Sequence, residues 1–143
     1  MVHYLNLGLG VRGCIHWTEL TIKEFINKVI SNDPVPGGGS VSALNGALAA
    51  ALSAMVANLT VGRKKYAEVN DLMQELSARF EKLSQKLIED VDRDSDAYNR
   101  VFAAFKLPKE TDEEKQARSE AIQRETKYAA EVPMEVARAV YEV

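Results

Sequence analysis

A chain of 143 residues suits one domain and can bury a core without disulfide or metal staples. Its apolar fraction of 46% and charged fraction of 27% are ordinary for a globular protein, and a net charge of −3 gives no basic field to draw it to nucleic acid. A lone cysteine, Cys14, excludes an internal disulfide framework and fits a reducing, cytoplasmic setting.

The opening MVHYLNLGLG lacks the cationic start and cleavage pattern of a signal peptide. Residues 1–17 show weak apolar alternation broken by glycines, which fits a short strand or a loose arm of unassigned role. His3 and His16 lack the nearby Cys or acidic partners of a zinc site and read as surface histidines.

From residue 18 the punctuation is helical. Thr21 with Glu24 forms a capping box, flanked by Leu20 and Phe25 at the staple positions, and predicts a first helix over Ile22 to Ile30. Ser31-Asn32-Asp33-Pro34 ends it, since the residue before a proline avoids helical angles. After Pro36-Gly37-Gly38-Gly39, Ser40 is the expected N-cap of a second helix reaching Val61, with Gly62 as its left-handed C-terminal cap. A third helix spans about Glu68 to Phe105, with apolar residues from Val69 through Leu87 and Val91 to Phe105 at helical spacing. Thr111 and Glu114 form another capping box and open a fourth helix, which Pro133 is expected to kink or to separate from a fifth. The fold class is therefore all-α, a helical bundle without repeats or a low-complexity linker.

Residues 41–61 carry no charge. A membrane span has the length, but Ser42, Asn45, Ser53, Asn58 and Thr60, seven alanines and the lack of an aromatic belt argue against it. Leu44, Leu48, Leu52, Met55 and Leu59 form a bulky stripe expected to fill the bundle's core. Ala43, Ala47, Ala50, Ala54 and Ala57 form a second stripe that lets another helix come close. A helix apolar all round is buried all round, which in so small a chain predicts a homo-oligomer with this helix at or beside the interface.

The glycine loop is not a phosphate loop, because Ser40-Val41-Ser42 follows where lysine and a hydroxyl are required. It is either a tight turn or a nest of amides for an anion or polar ligand edge. On the third helix the apolar stripe meets two polar residues, Asp94 and Ser95. Asp94 is either an inward carboxylate tuned by desolvation or a stripe-edge residue paired with Arg or Lys. Asp90, Asp92 and Asp96 read as a solvated face. Arg63, Lys64 and Lys65 either complement the helix C-terminus or bind an anionic ligand.

The segments PVPGGGSVSALNGALAAALSAMVANLT, RKKY, DSDAY, LPKETDEEKQAR and AAEVP, in this order, resemble the formiminotransferase-cyclodeaminase C-terminal family over about residues 18–143. The resemblance implies an all-helical, homodimer-forming cytoplasmic folate enzyme with no metal or redox cofactor, beside the expectation from charge and composition of no nucleic-acid or membrane partner. Its reaction is either cyclodeamination of 5-formimidoyltetrahydrofolate to 5,10-methenyltetrahydrofolate and ammonia, or cyclohydrolase conversion of the methenyl form. It also implies that Gly37, Gly38, Gly39 and Ser40 line the folate site, that Asp94 transfers protons with Tyr98 beside it, and that Asn58, Arg63, Lys64 and Lys65 contact or orient the ligand. Lys109 is a further candidate. Two departures accompany it: the family's domain continues past the equivalent of Val143 with further helices, and residues 1–17 match nothing in the family. A non-catalytic helical dimerisation module, or a truncated inactive fragment, is the competing expectation.

Overall fold

The computed structural model describes residues 16–143, which form four α-helices and two 3-10 turns, with no strand among the described residues. The helices are α1 (Ile22–Ile30), α2 (Gly38–Thr60), α3 (Asn70–Phe105) and α4 (Asp112–Tyr141). The strand or arm expected at the N-terminus lies outside the described residues except for its end. There the chain is anchored: Trp17 is buried in the main core beside Phe25. Asp92 of α3 accepts from the Trp17 amide at 2.6 Å and from the Thr18 hydroxyl at 2.9 Å, with His16 Nδ1 at 3.3 Å. Asp92 is thus an anchor for the N-terminal turn rather than part of a solvated face.

Both capping boxes form, at Thr21–Glu24 and Thr111–Glu114, and set the starts of α1 and α4. The Thr21 hydroxyl and amide hold the Glu24 carboxyl below its ordinary range. Gly62 takes φ +75° and closes α2, and its amide donates to Asn70 Oδ1 at 2.9 Å. A 3-10 turn over Lys64–Val69 then leads into α3.

Two expectations about helix ends change. Ser40 is not the N-cap of α2. The helix starts at Gly38 with Gly37 as its cap, and Ser40 is a buried residue of the first turn. Its place as a cap is taken by a side chain from α3, as described below. Pro133 does not separate two helices, because α4 runs unbroken from Asp112 to Tyr141 with Pro133 inside it. Val132 and Val136, on either side of the proline, are both buried and anchor the helix across it.

The two stripes of α2 also exchange roles. Ala43, Ala47, Ala50, Ala54 and Ala57 are all buried. Leu48, Leu52 and Leu59 are 56%, 59% and 59% exposed. The reason is the closeness of α2 to α3. Ser84 Oγ reaches the Ala47 carbonyl at 3.0 Å, and Ser40 Oγ reaches the Val91 carbonyl at 2.7 Å. Short hydroxyls span the gap to the other backbone only where the side chains between are small, so alanine must line this seam. Leu44 alone of the bulky stripe packs on the core cluster of Ala43, Ala47, Leu87, Val91, Val136 and Ala139. Gly46 serves the same closeness toward α4, since a Cβ there would lie 2.5 Å from Val140 Cγ2 and 3.2 Å from Leu87 Cδ1.

Charged groups clamp α4 to α3. Asp90, expected on a solvated face, is 1% exposed and accepts from Lys86 Nζ at 2.7 Å and Arg93 Nη1 at 2.9 Å. Arg93 also pairs with Glu135 of α4, which raises the guanidinium pKa and holds the Glu135 carboxyl below its ordinary value. Arg100 and Arg124 flank Glu125 at 2.7 and 2.9 Å, and their hydrogen bonds, Arg100 first, lower its pKa as well. The Tyr128 ring lies beneath Arg100, 4.5 Å from the guanidinium carbon to the centroid.

Candidate active site

The N-terminus of α2 abuts the middle of α3, and the contact centres on Asp94. Asp94 Oδ2 accepts from the Ser40 amide at 2.8 Å. A free amide in the first turn of a helix is an unsatisfied donor at the positive end of the dipole, so a carboxylate from α3 caps α2 as a local N-cap side chain would. The Ser40 hydroxyl donates to the Val91 carbonyl and lies 3.1 Å from the Ser95 hydroxyl, which is also buried. Asp94 is therefore paired with no cation among the described residues, and it is not fully buried. It is a part-exposed carboxylate held by one oxygen.

Gly39 makes this possible. A Cβ at Gly39 would fall within bonding distance of the Asp94 carboxylate, whereas one at Gly38 would meet nothing within 4 Å. The glycine is required by close approach of a side chain from another helix, not by unusual backbone angles.

Asp94 lines a cleft of about 250 Å³ with Tyr98, Gly37, Gly38, Pro34, Val35 and Ala129. Pro34, Val35 and Tyr98 also line a larger neighbouring groove of about 1210 Å³, which carries Phe102, Tyr128, Arg93, Arg100 and Lys106. The two openings thus adjoin across a shared wall of Pro34, Val35 and Tyr98. Their lining combines aromatic rings with a few polar groups, as in sites for heteroaromatic ligands.

The other sequence-predicted site residues are placed as follows. Gly39 and Ser40 stand behind Asp94 and position it. Asn58 and Arg63-Lys64-Lys65 lie at or beyond the opposite end of α2, which at 1.5 Å per residue is about 30 Å from the glycine loop. Within one chain they cannot share the Asp94 cleft. Asn58 instead joins α2 to α3, accepting from the buried Ser77 hydroxyl at 2.7 Å and donating to Glu81 at 3.1 Å. Lys109 is exposed in the α3–α4 connection and lines neither opening. Sequence reading missed Pro34, Val35 and Ala129, whose apolar or small side chains signal no chemistry. It also missed Arg93 and Arg100, which helical spacing places among many surface charges. Among the described residues no three His, Cys, Asp or Glu side chains cluster as a metal site would.

The family model described as formiminotransferase-cyclodeaminase matches residues 21–143. Over 123 residues the chain is 42% identical to a methenyltetrahydrofolate cyclohydrolase of Methylorubrum extorquens, covering 86% of this chain and 59% of that protein. Over 122 residues it is 36% identical to the formimidoyltransferase-cyclodeaminase of Rattus norvegicus, covering 85% of this chain and 23% of that one. The crystal structure of a formiminotetrahydrofolate cyclodeaminase from Thermotoga maritima superposes with a TM-score of 0.71 at 36% identity, over 85% of this chain and 56% of that one. The chain thus spans little more than half of the cyclohydrolase and of the solved cyclodeaminase, and about a quarter of the bifunctional protein. With the motif order, the four-helix architecture and the match over residues 21–143 in agreement, the chain belongs to the formiminotransferase-cyclodeaminase family.

Proposed function

We propose that this chain carries the Asp94 half-site of a folate one-carbon enzyme that converts 5-formimidoyltetrahydrofolate to 5,10-methenyltetrahydrofolate and ammonia. The observation that carries this reading is the Asp94 carboxylate, fixed through Oδ2 by the Ser40 amide, in a cleft that shares its Tyr98 wall with an aromatic-lined groove. In the reaction N10 attacks the carbon of the protonated formimino group on N5 and forms a tetrahedral carbon bearing three nitrogens. One proton must then move from N10 to the former imino nitrogen, which leaves as ammonia while the methenyl cation forms. Asp94 Oδ1, without a hydrogen-bond partner of its own among the described residues, is suited to take that proton and return it. The fixed Oδ2 keeps the carboxylate from rotating between the two tasks.

The test is ammonia release from 5-formimidoyltetrahydrofolate by the purified chain and by Asp94→Asn. Asparagine keeps an acceptor for the Ser40 amide but cannot shuttle the proton, so turnover is expected to fall by about 10²- to 10⁴-fold without unfolding. Unchanged turnover in Asp94→Asn would refute the assignment. A second reading, hydrolysis of the methenyl form, is favoured by the 42% identity to the cyclohydrolase. It uses the same carboxylate to activate water, and following methenyltetrahydrofolate hydrolysis in parallel separates the two.

The exposed leucine face of α2 supports a second copy as its cover. A contiguous apolar face of Leu48, Leu52, Met55, Val56 and Leu59 on one helix is larger than isolated surface leucines require. Sedimentation is expected to show a dimer that Leu52→Lys dissociates; a monomeric native chain at micromolar concentration overturns this. The setting that fits these chemistries is the cytoplasm.

A further inference from the structure

Behind Asp94 lies a buried pair of hydroxyls whose protons can be counted. Ser40 and Ser95 are 0% and 1% exposed, and their hydroxyl oxygens lie 3.1 Å apart. The Ser40 oxygen is the one hydrogen-bond partner of the Ser95 hydroxyl among the described residues. If Ser40 donated to Ser95, the Ser95 proton would be buried without an acceptor, at the full desolvation cost of that group. Ser95 is therefore the donor and the Ser40 oxygen the acceptor. The single Ser40 proton is left with two acceptors, the Val91 carbonyl at 2.7 Å and Asp94 Oδ2 at 3.2 Å. A hydroxyl carries one proton, so it serves one of them at a time.

We propose that Ser95 is a positioning residue for the reaction. Its donation to the Ser40 oxygen leaves the Ser40 hydroxyl free to turn between Asp94 Oδ2 and the Val91 carbonyl as Asp94 gives up and takes a proton. A hydrogen bond to an ionised acceptor is roughly twice as strong as a neutral one, so the carboxylate form draws the Ser40 proton. Once Oδ1 carries a proton, the closer Val91 carbonyl is the better acceptor. Nothing else has to move. The Ser40 amide holds Oδ2 at 2.8 Å, and Ser95 holds the Ser40 oxygen, in both states. A base that must accept a proton and then return it gains from a partner that adjusts to each form by one bond rotation. This assignment rests on the folate reading above and adds to it a residue that acts on the Asp94 carboxylate only through Ser40.

Ammonia release from 5-formimidoyltetrahydrofolate is followed in Ser40→Ala, Ser95→Ala, the double variant and Ser84→Ala. Ser84 also ties α3 to α2 through a hydroxyl, 3.0 Å from the Ala47 carbonyl. It lies about 15 Å along α3 from Asp94 and serves as the purely structural comparison. With KM unchanged, kcat should fall about 10-fold in Ser40→Ala and about 3- to 10-fold in Ser95→Ala, the worth of one hydrogen bond in the proton-transfer step. The solvent deuterium isotope effect on kcat should rise in both. Removing Ser95 should cost nothing further once Ser40 is alanine, because Ser95 acts through it. Ser84→Ala should lose stability and keep its kcat. Native kcat in Ser95→Ala, single losses that multiply in the double variant, or an equal loss in Ser84→Ala overturns the assignment and leaves the Asp94 reading intact. Absence of turnover by the native chain refutes both.

Discussion

Gly39→Ala tests the geometry on which the site depends. The new methyl would overlap the Asp94 carboxylate, whose short side chain on a clamped helix cannot swing clear without leaving the α2 N-terminus. The loss is one hydrogen bond to a charged group, about 1.5–3 kcal/mol. The gain from alanine over glycine in a helix is at most about 1 kcal/mol. The net expectation is a destabilisation of about 1–2 kcal/mol, with loss of any activity that needs Asp94 in place. Gly38→Ala is the internal control: its methyl meets nothing within 4 Å, so only the propensity gain remains, and stability should hold or rise by up to about 1 kcal/mol. Urea unfolding of the two variants gives the comparison directly. If Gly39→Ala is as stable as Gly38→Ala, Asp94 does not cap α2 as described, and the reasoning about its fixed oxygen falls with it.

Gly46→Ala probes the other close seam. Its methyl would meet Val140, which is part-exposed, and Leu87, which is fully buried and cannot retreat into solvent, and overpacking of about 1–3 kcal/mol should appear as a lowered Tm. The clamps between α3 and α4 predict an acid response. Arg93 holds Glu135, and Arg100 with Arg124 hold Glu125, below the usual carboxylate value of 4.5. A depressed folded-state pKa contributes stability that is present in full above the unfolded value and is lost as pH falls through the folded one. The urea midpoint should therefore drop from pH 5 downward, and the drop should be smaller in the Glu125→Gln/Glu135→Gln double variant; an equal drop in both would show that other carboxylates carry it.

What local sequence determines here, it determines through local hydrogen bonds. Thr21–Glu24 and Thr111–Glu114 each satisfy helix-end amides within four residues, so the starts of α1 and α4 could be read without the fold. Gly62 needs only its own backbone freedom to close α2. The same local logic failed at Ser40, because a carboxylate 54 residues away supplies the cap and the serine turns inward. At Pro133 it left a kink or a new helix open, and the new helix does not form, because α4 continues through the proline between the buried Val132 and Val136. The family motifs pointed to Asp94 and the glycine loop, and the structure brings these together. Periodicity found both stripes of α2 but could not say which faced inward. Hydrophobicity favours burying the leucines. Backbone contacts with α3 require the alanines. Only the approach distance of two helices, a property of the packed chain, resolves that competition.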